Sequence, residues 1–430
     1  MKSATPIPLN DKKTINGWAM FDWANSAFAL VITAAIFPGY FTSITDDIIN
    51  IGQMKVSNSA LYAFATSAAY LIITLFSPLL SGIADYGGKR KFFLRFFTTL
   101  GSIACLSLFF FDGMDRLTIG LLGYILAMVG FAGGLVFYNS YLPDIATEDQ
   151  YDRVSAKGFA YGYIGSIILL IINLVVILKP AFFGLADTGT LPVRIAFLTV
   201  GIWWIGFAQI AFQRLPADSN QPMPDNIVRK GWEELKKVWQ RVQSQANTKT
   251  FLGAFFFYSA GAQTVIFLAA TFAEKELGFE TTELITTILI LQVIGILGAY
   301  VFAFMSERVG NTKTLMLVCG IFMAICGAAY FVTVKWQFYA TAAFVGLVMG
   351  GIQSLSRATY SKLIPDKASD VTSYFSFYDV LEKISIVSGT LLFGLIDQIT
   401  GGMRNSILTL TLFFFIGIIL LSRVKINTSK

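Results

Sequence analysis

Apolar runs of about 20 residues recur along this chain, and a helix of that length crosses the roughly 30 Å hydrocarbon core of a bilayer. No water reaches the backbone there, so such a chain must satisfy its N–H and C=O groups within helices. Twelve spans are expected, at residues 17–42, 58–82, 91–111, 117–141, 154–178, 190–213, 250–273, 283–306, 312–333, 337–356, 372–396 and 405–422. Composition agrees. Of the 430 residues, 55% are hydrophobic and only 13% charged, where a soluble domain carries roughly 25%; the mean hydropathy is +0.66. The longest polar interruption, residues 214–249, holds Pro216, Pro222 and Pro224 and splits the spans six and six. The expected organisation is an all-α membrane protein with one six-helix bundle over residues 1–213, a linker over 214–249 and a second bundle over 250–430.

The net charge of +6 does not point to nucleic acid, because the basic residues lie in short loops, where they set membrane orientation. Lys89, Arg90, Lys91, Arg153, Lys157, Arg308, Lys313, Lys362 and Lys367 fall on one side, with the basic segment 229–249 and the C-terminal Arg423, Lys425 and Lys430. The other side holds fewer: Lys55, Arg116, Lys179, Arg194, Lys275, Lys335 and Arg404. Both termini and the linker are thus expected in the cytoplasm. Lys2, Lys12 and Lys13 ahead of an apolar run mimic a signal peptide, but the run is too long and carries Asp22 and Asn25, so it is read as the first retained span. Cys105, Cys319 and Cys326 all fall in apolar runs and are expected as small packing residues. Histidine is absent. No metal site or cofactor is expected, and any proton coupling must use Asp or Glu. Nucleophile-elbow, zinc-helix and phosphate-loop motifs are missing too, which argues against an enzyme.

Two internal matches share one offset. SGIADYGGKRK, with Asp85, Gly88, Lys89 and Arg90, is matched by AFMSERVGNTK, with Glu307, Gly310 and Lys313, and Asp85 and Glu307 are 222 residues apart. YLPDIA, with Pro143 and Asp144, is matched 222 residues later by LIPDKA, with Pro365 and Asp366. Parallel halves of six spans are a known repeat plan of secondary transporters, with the site between the halves near mid-membrane.

The D-x-x-G-K-R hairpin between spans two and three, with its weaker copy between spans eight and nine, resembles the loop motif of the major facilitator superfamily. Ser81 stands where that motif leads with Gly, and Tyr86 where it has Arg. FDWANSAF, YLPDIA followed by RVSAKGFAYGYIGS, GGIQSLSRATYSKLIP and YFSFYDVLEK resemble the vacuole effluxer-like branch of that superfamily along the whole chain. The resemblance implies the major facilitator fold, twelve helices in two pseudo-repeats, and transport. The fungal members are vacuolar permeases implicated in amino-acid export during autophagy, so it also implies amino acids as solute. Asp379 and Glu382 are more acidic than expected for many relatives at those positions.

Candidate site residues follow from polar groups inside spans, where an ionisable side chain is costly and a functional candidate by default. In WAMFDWANSAF, Asp22, Asn25 and Thr33 share a helix face with Ser26 beside them. Asp22 is expected about 7–8 Å into the span, at a gate, as a proton carrier or simply as an acid at a helix N-terminus. Asn25, Ser26 and Thr33 reach deeper and are candidates for solute contact or interhelical hydrogen bonds. In the eleventh span Asp379, Glu382 and Lys383 stand at i, i+3 and i+4, close enough to interact. Glu382 or Asp379 is expected to carry the coupling proton, and Lys383 to neutralise it or hold a solute carboxylate; the alternative is a structural ion pair. Arg357 could dock a carboxylate or snorkel to headgroups. Gln263 and Gln292 lie near mid-span and could line a cavity. Asp85, Gly88, Lys89, Arg90 and Glu307 are expected to form a conformational latch, the alternative being plain topology anchors. In the linker, Val228, Leu235, Val238, Trp239 and Val242 make an apolar stripe, read as an interfacial helix on anionic lipid.

The expected function is a secondary, proton-coupled transporter of a small polar solute, working as a monomer in a bacterial inner membrane. The alternative is a transporter-like sensor or scaffold that binds a ligand without moving it.

Overall fold

The computed structural model describes residues 8–426 except 53, 187–188, 220–224, 366–369 and 401. Lys2, Pro222, Pro224, Asp366, Lys367 and Lys430 therefore lie outside the described residues. Each expected span is a long helix: α1 (Lys12–Ile44), α2 (Asn58–Gly87), α3 (Arg90–Leu108), α4 (Leu117–Asn139), α5 (Tyr151–Leu178), α6 (Leu191–Arg214), α7 (Ala246–Leu277), α8 (Thr281–Val309), α9 (Asn311–Tyr330), α10 (Lys335–Leu363), α11 (Val371–Thr400) and α12 (Met403–Leu421). Among the described residues eleven helices are long and apolar enough to cross a membrane. The twelfth is α11, which has 30 residues and carries Asp379, Glu382 and Lys383. A short hairpin, β1 (Ile48–Ile51) and β2 (Met54–Ser57), follows α1, pairing Ile49 with Val56.

Helix α1 starts five residues earlier than expected, because Asp11 caps it by accepting from Thr14 N and Oγ1, both at 2.8 Å. The Thr14 side-chain and backbone bonds hold the Asp11 carboxyl below its ordinary range. Asp22 consequently lies about 15 Å along the helix from its first residue. From Phe28 to Ile36 the helix is π-wound, and it returns to α geometry at Phe37–Ile44. Such wide turns are rare and frequent at functional sites.

The chain divides into two compact units, Met1–Tyr141 with Tyr161–Gly231, and Leu142–Ala160 with Trp232–Lys430. This departs from the sequence boundaries at two places. The first ten residues of α5 group with the C-terminal half, and the linker helix (Ile227–Ser244) divides after Gly231.

In the first unit, aromatic rings of α1 lock into its neighbours. Trp18 and Phe21 stack on Tyr138 with centroids 4.5 and 4.7 Å apart, and Phe37 stacks on Tyr124 at 4.6 Å. Lipid tails are as apolar as side chains, so close packing replaces the hydrophobic drive of water. In the second unit this packing is tightest between α8 and α10, where a Cβ on Gly298 would stand 1.9 Å from Leu347 O and one on Gly350 2.1 Å from Gly295 O. Gly298→Val should force these backbones apart, costing upwards of about 1–3 kcal/mol. A fall of several degrees in the melting midpoint in detergent is expected, and an unchanged midpoint would contradict it. The three cysteines are buried and free, in keeping with packing roles.

The linker stripe is corrected by the structure. Leu235, Val238 and Val242 are buried in protein, Trp239 meets Phe377 at 5.3 Å, and Arg241 forms a salt bridge with Asp370. Val228, Trp232 and Trp239 do remain exposed. Burial lifts the Asp370 carboxyl above its ordinary range, against the pull of Arg241. The folded protein therefore holds this proton more tightly than the unfolded chain, and stability is lost as pH rises through the raised value. The melting midpoint of the native protein should decline relative to Asp370→Asn as pH rises from the ordinary carboxylate range; parallel profiles would contradict this.

Candidate functional site

The sequence YDVLEK winds Asp379, Glu382 and Lys383 onto one side of α11. Lys383 Nζ donates to Asp379 Oδ1 at 2.8 Å and to Glu382 Oε2 at 2.9 Å. Gln263 of α7 donates to Glu382 Oε1 at 3.3 Å. The side chains of Asp379 and Lys383 are 5% and 7% exposed, and that of Glu382 is 25% exposed. Asp379 Oδ2 has no hydrogen-bond partner among the described residues. Hydroxyls surround the triad: Ser385 donates to Ser259 Oγ at 3.1 Å and to Glu382 O at 2.7 Å, and Tyr258 meets Ser356 Oγ at 2.8 Å. One ammonium thus serves two carboxylates where three helices, α7, α10 and α11, meet. Breaking a buried pair leaves a charge uncompensated, so the arrangement makes each member sensitive to the protonation or occupancy of the others.

The structure therefore joins four expected residues, Gln263, Asp379, Glu382 and Lys383. Gln292 of α8 is half-buried and makes no side-chain hydrogen bond among the described residues. A nearly apolar cavity of about 60 Å³ in the same unit is lined by Thr264, Leu268, Phe272, Leu291, Cys326 and Val345 among others.

The first unit holds the other polar candidates. Tyr138 donates to Asp22 Oδ2 at 2.7 Å, and Trp18 Nε1 donates to Tyr138 O at 3.0 Å. Asn25 is wholly buried, and neither amide atom has a partner among the described residues. Ser26 lies against α5, where a Cβ on Gly162 would come within 2.5 Å of its Oγ. Thr33, inside the π-wound turns, donates to Met128 Sδ at 3.6 Å. Its carbonyl accepts from Tyr62 at 3.5 Å, while Tyr124 donates to Tyr62 OH at 3.1 Å. Sequence reasoning passed over Tyr62 and Tyr124; two tyrosines in facing apolar helices were the available signal.

Ion pairs gather where residues 151–160 meet α8, α9 and α10 within the second unit. Asp152, 1% exposed, accepts from Asn311 Nδ2 at 2.7 Å, Ser306 Oγ at 2.8 Å and Lys362 Nζ at 2.9 Å. Arg153 grips Glu307 with two bonds, one of 2.6 Å from Nη2. Arg357 is buried rather than snorkelled: its Nε and Nη2 donate to Ser155 Oγ and O at 2.9 and 2.8 Å, and its guanidinium lies 4.3 Å from the Phe159 ring centroid. Of these, Glu307 and Arg357 are expected site residues. Arg153 and Lys362 were legible only as topology charges, and Asp152 was missed.

The hairpin of the first unit is built for a tight reversal. Gly88 closes α2 in the left-handed region at φ +59°, which a residue without a Cβ adopts freely. Asp85 lies in the last turn of α2, Lys89 Nζ donates to Ser219 O at 2.6 Å, and Arg90 Nη1 donates to Ser140 O at 3.0 Å. Among the described residues no group of three or more His, Cys, Asp or Glu is placed to hold a metal ion.

Residues 10–430 match the family described as vacuole effluxer Atg22 like. The chain is 30% identical to the uncharacterized MFS-type transporter YxiO of Bacillus subtilis, over 97% of this chain and 96% of that one. It is 26% identical to autophagy-related protein 22 of Kluyveromyces lactis, over 88% and 81% of the two chains. Among solved structures it is similar to the major facilitator superfamily transporter FucP in the outward conformation, at TM-score 0.72 and 15% identity over 96% of this chain and all 100% of that one. It is also similar to a bacterial homologue of the iron transporter ferroportin, at TM-score 0.67 and 13% identity over 96% and 98%. These likenesses establish an all-α major facilitator fold.

Proposed function

We propose secondary active transport of a small polar solute for this chain, which belongs to the vacuole effluxer Atg22-like family of MFS-type transporters. The observation that carries the reading is the Asp379–Lys383–Glu382 triad, two carboxylates sharing one ammonium in the 30-residue helix α11. With no histidine in the chain, Glu382, the most exposed of the three, carries the coupling proton. Lys383 offsets one of the two carboxylate charges, and Asp379 completes the triad. In the first unit Asn25, Ser26 and Thr33 contact the solute and Asp22 assists proton transfer; in the second unit Gln263, Gln292 and Arg357 contact the solute. Residues 1–213 and 250–430 act as the two halves of an alternating-access cycle. The Arg153–Glu307 and Asp152–Lys362 ties hold in one conformer and part in the other, while the Asp85, Gly88, Lys89 and Arg90 hairpin serves as the corresponding element of the first half. Amino acids are the solute class that the family relationship favours. The protein works as a monomer in a bacterial inner membrane with both termini in the cytoplasm.

The test is solute counterflow in liposomes holding the purified protein, with labelled leucine as the first probe and other amino acids after it. Protein-dependent exchange of any of them supports the proposal. Binding without exchange would favour a sensor or scaffold.

A further inference from the structure

We infer that the α11 cluster recognises its solute through a protonated amine, taken at Asp379 Oδ2, rather than through a carboxylate docked on Lys383. The inference rests on the transporter reading for the movement of solute after binding, whereas the recognition itself rests on geometry. Lys383 already donates to two carboxylates, at 2.8 and 2.9 Å. A solute carboxylate placed on it would add a third negative charge to a cluster that holds one cation, and like charges repel strongly where water is scarce. The arrangement instead has a surplus of one negative charge.

Asp379 supplies the second observation. Its side chain is 5% exposed, one oxygen is bound to Lys383, and the other has no partner among the described residues. A buried acceptor without a donor carries a desolvation penalty that a donor relieves. An ammonium brings three donors and cancels the surplus charge. Glu382, more exposed than its neighbours, gives such a group a second carboxylate to approach. A bare metal cation fits poorly, since it needs more oxygens and Lys383 already stands between the two acids. Arg357, another buried cation of this unit, has two of its donors on Ser155, on the α5 side of α10.

Three probes with one carbon skeleton separate the possibilities: leucine, leucinamide, which keeps the amine alone, and 4-methylpentanoate, which keeps the carboxylate alone. Their effect on the melting midpoint of the full-length protein in detergent reads binding without requiring transport. Leucine and leucinamide should stabilise the protein and 4-methylpentanoate should not. Asp379→Asn should weaken leucinamide binding by about tenfold or more, with Asp379→Glu retaining most of it. Should Asp379→Asn fail to fold, the order of the three probes on the native protein decides alone. Stabilisation by 4-methylpentanoate equal to that by leucinamide would overturn the inference. So would undiminished leucinamide binding by Asp379→Asn, or no response at millimolar concentration to leucinamide, tyramine or lysine methyl ester. Amine binding accompanied by no flux in liposomes would overturn the transporter reading and leave the inference standing.

Discussion

Glu382→Gln protein in liposomes should lose pH-gradient-driven leucine accumulation by about tenfold or more, equivalent to about 1.4 kcal/mol or more of coupling, while leucine exchange at uniform pH persists. Exchange needs only that a loaded carrier turn over. Accumulation needs a group that binds a proton on one side and releases it on the other. Within the triad Glu382 is placed for that role: a quarter exposed, held by Lys383 at 2.9 Å and Gln263 at 3.3 Å. The amide keeps the shape, and Lys383 retains its 2.8 Å bond to Asp379, so a neutral pair survives where a net negative triad stood. Asp379→Asn should fail differently, through solute affinity. Gradient-driven accumulation at native rates in Glu382→Gln would remove Glu382 from the mechanism.

The second large effect is expected at Asp152. This carboxylate is buried with three donors around it, one of them the Lys362 ammonium. Asp152→Asn leaves that ammonium without its counter-charge, and breaking a buried pair costs about 3–5 kcal/mol. The cost falls on the conformer that holds the tie, so the ratio of conformers should shift about a hundredfold or more toward the parted state. Ser361→Cys supplies a reporter, since Ser361 is buried one residue from Lys362 and the native cysteines are buried as well. Its maleimide labelling should rise steeply in Asp152→Asn. Adding Lys362→Met removes the orphaned charge, and the double variant should return part of the way to native labelling. Equal labelling in all three proteins would show that the tie does not govern the conformer.

Periodicity and run length disclose the twelve helices, because a bilayer forces each span to satisfy its own backbone. The α11 triad was legible because its members are three and four residues apart on one helix. The Asp152 cluster was not: its partners Ser306, Asn311 and Lys362 are 154, 159 and 210 residues away, and in sequence Lys362 looks like any orienting loop charge. The grouping of residues 142–160 with the second half has the same origin. The linker stripe shows a different ambiguity, since an apolar face reads alike whether it meets lipid or, as Val238 and Val242 do, protein. Helix α1 begins ahead of its apolar run because Asp11 caps it, a signal that hydropathy alone does not carry.

Proton-coupled transport through the α11 triad is tested most directly by leucine uptake into liposomes under an imposed pH gradient, comparing native protein with Glu382→Gln and protein-free vesicles. The native protein should accumulate leucine in a direction that reverses when the gradient is reversed, and Glu382→Gln should lose that accumulation. Protein-dependent uptake that ignores the gradient, or binding of leucine with no uptake above protein-free vesicles, would contradict it.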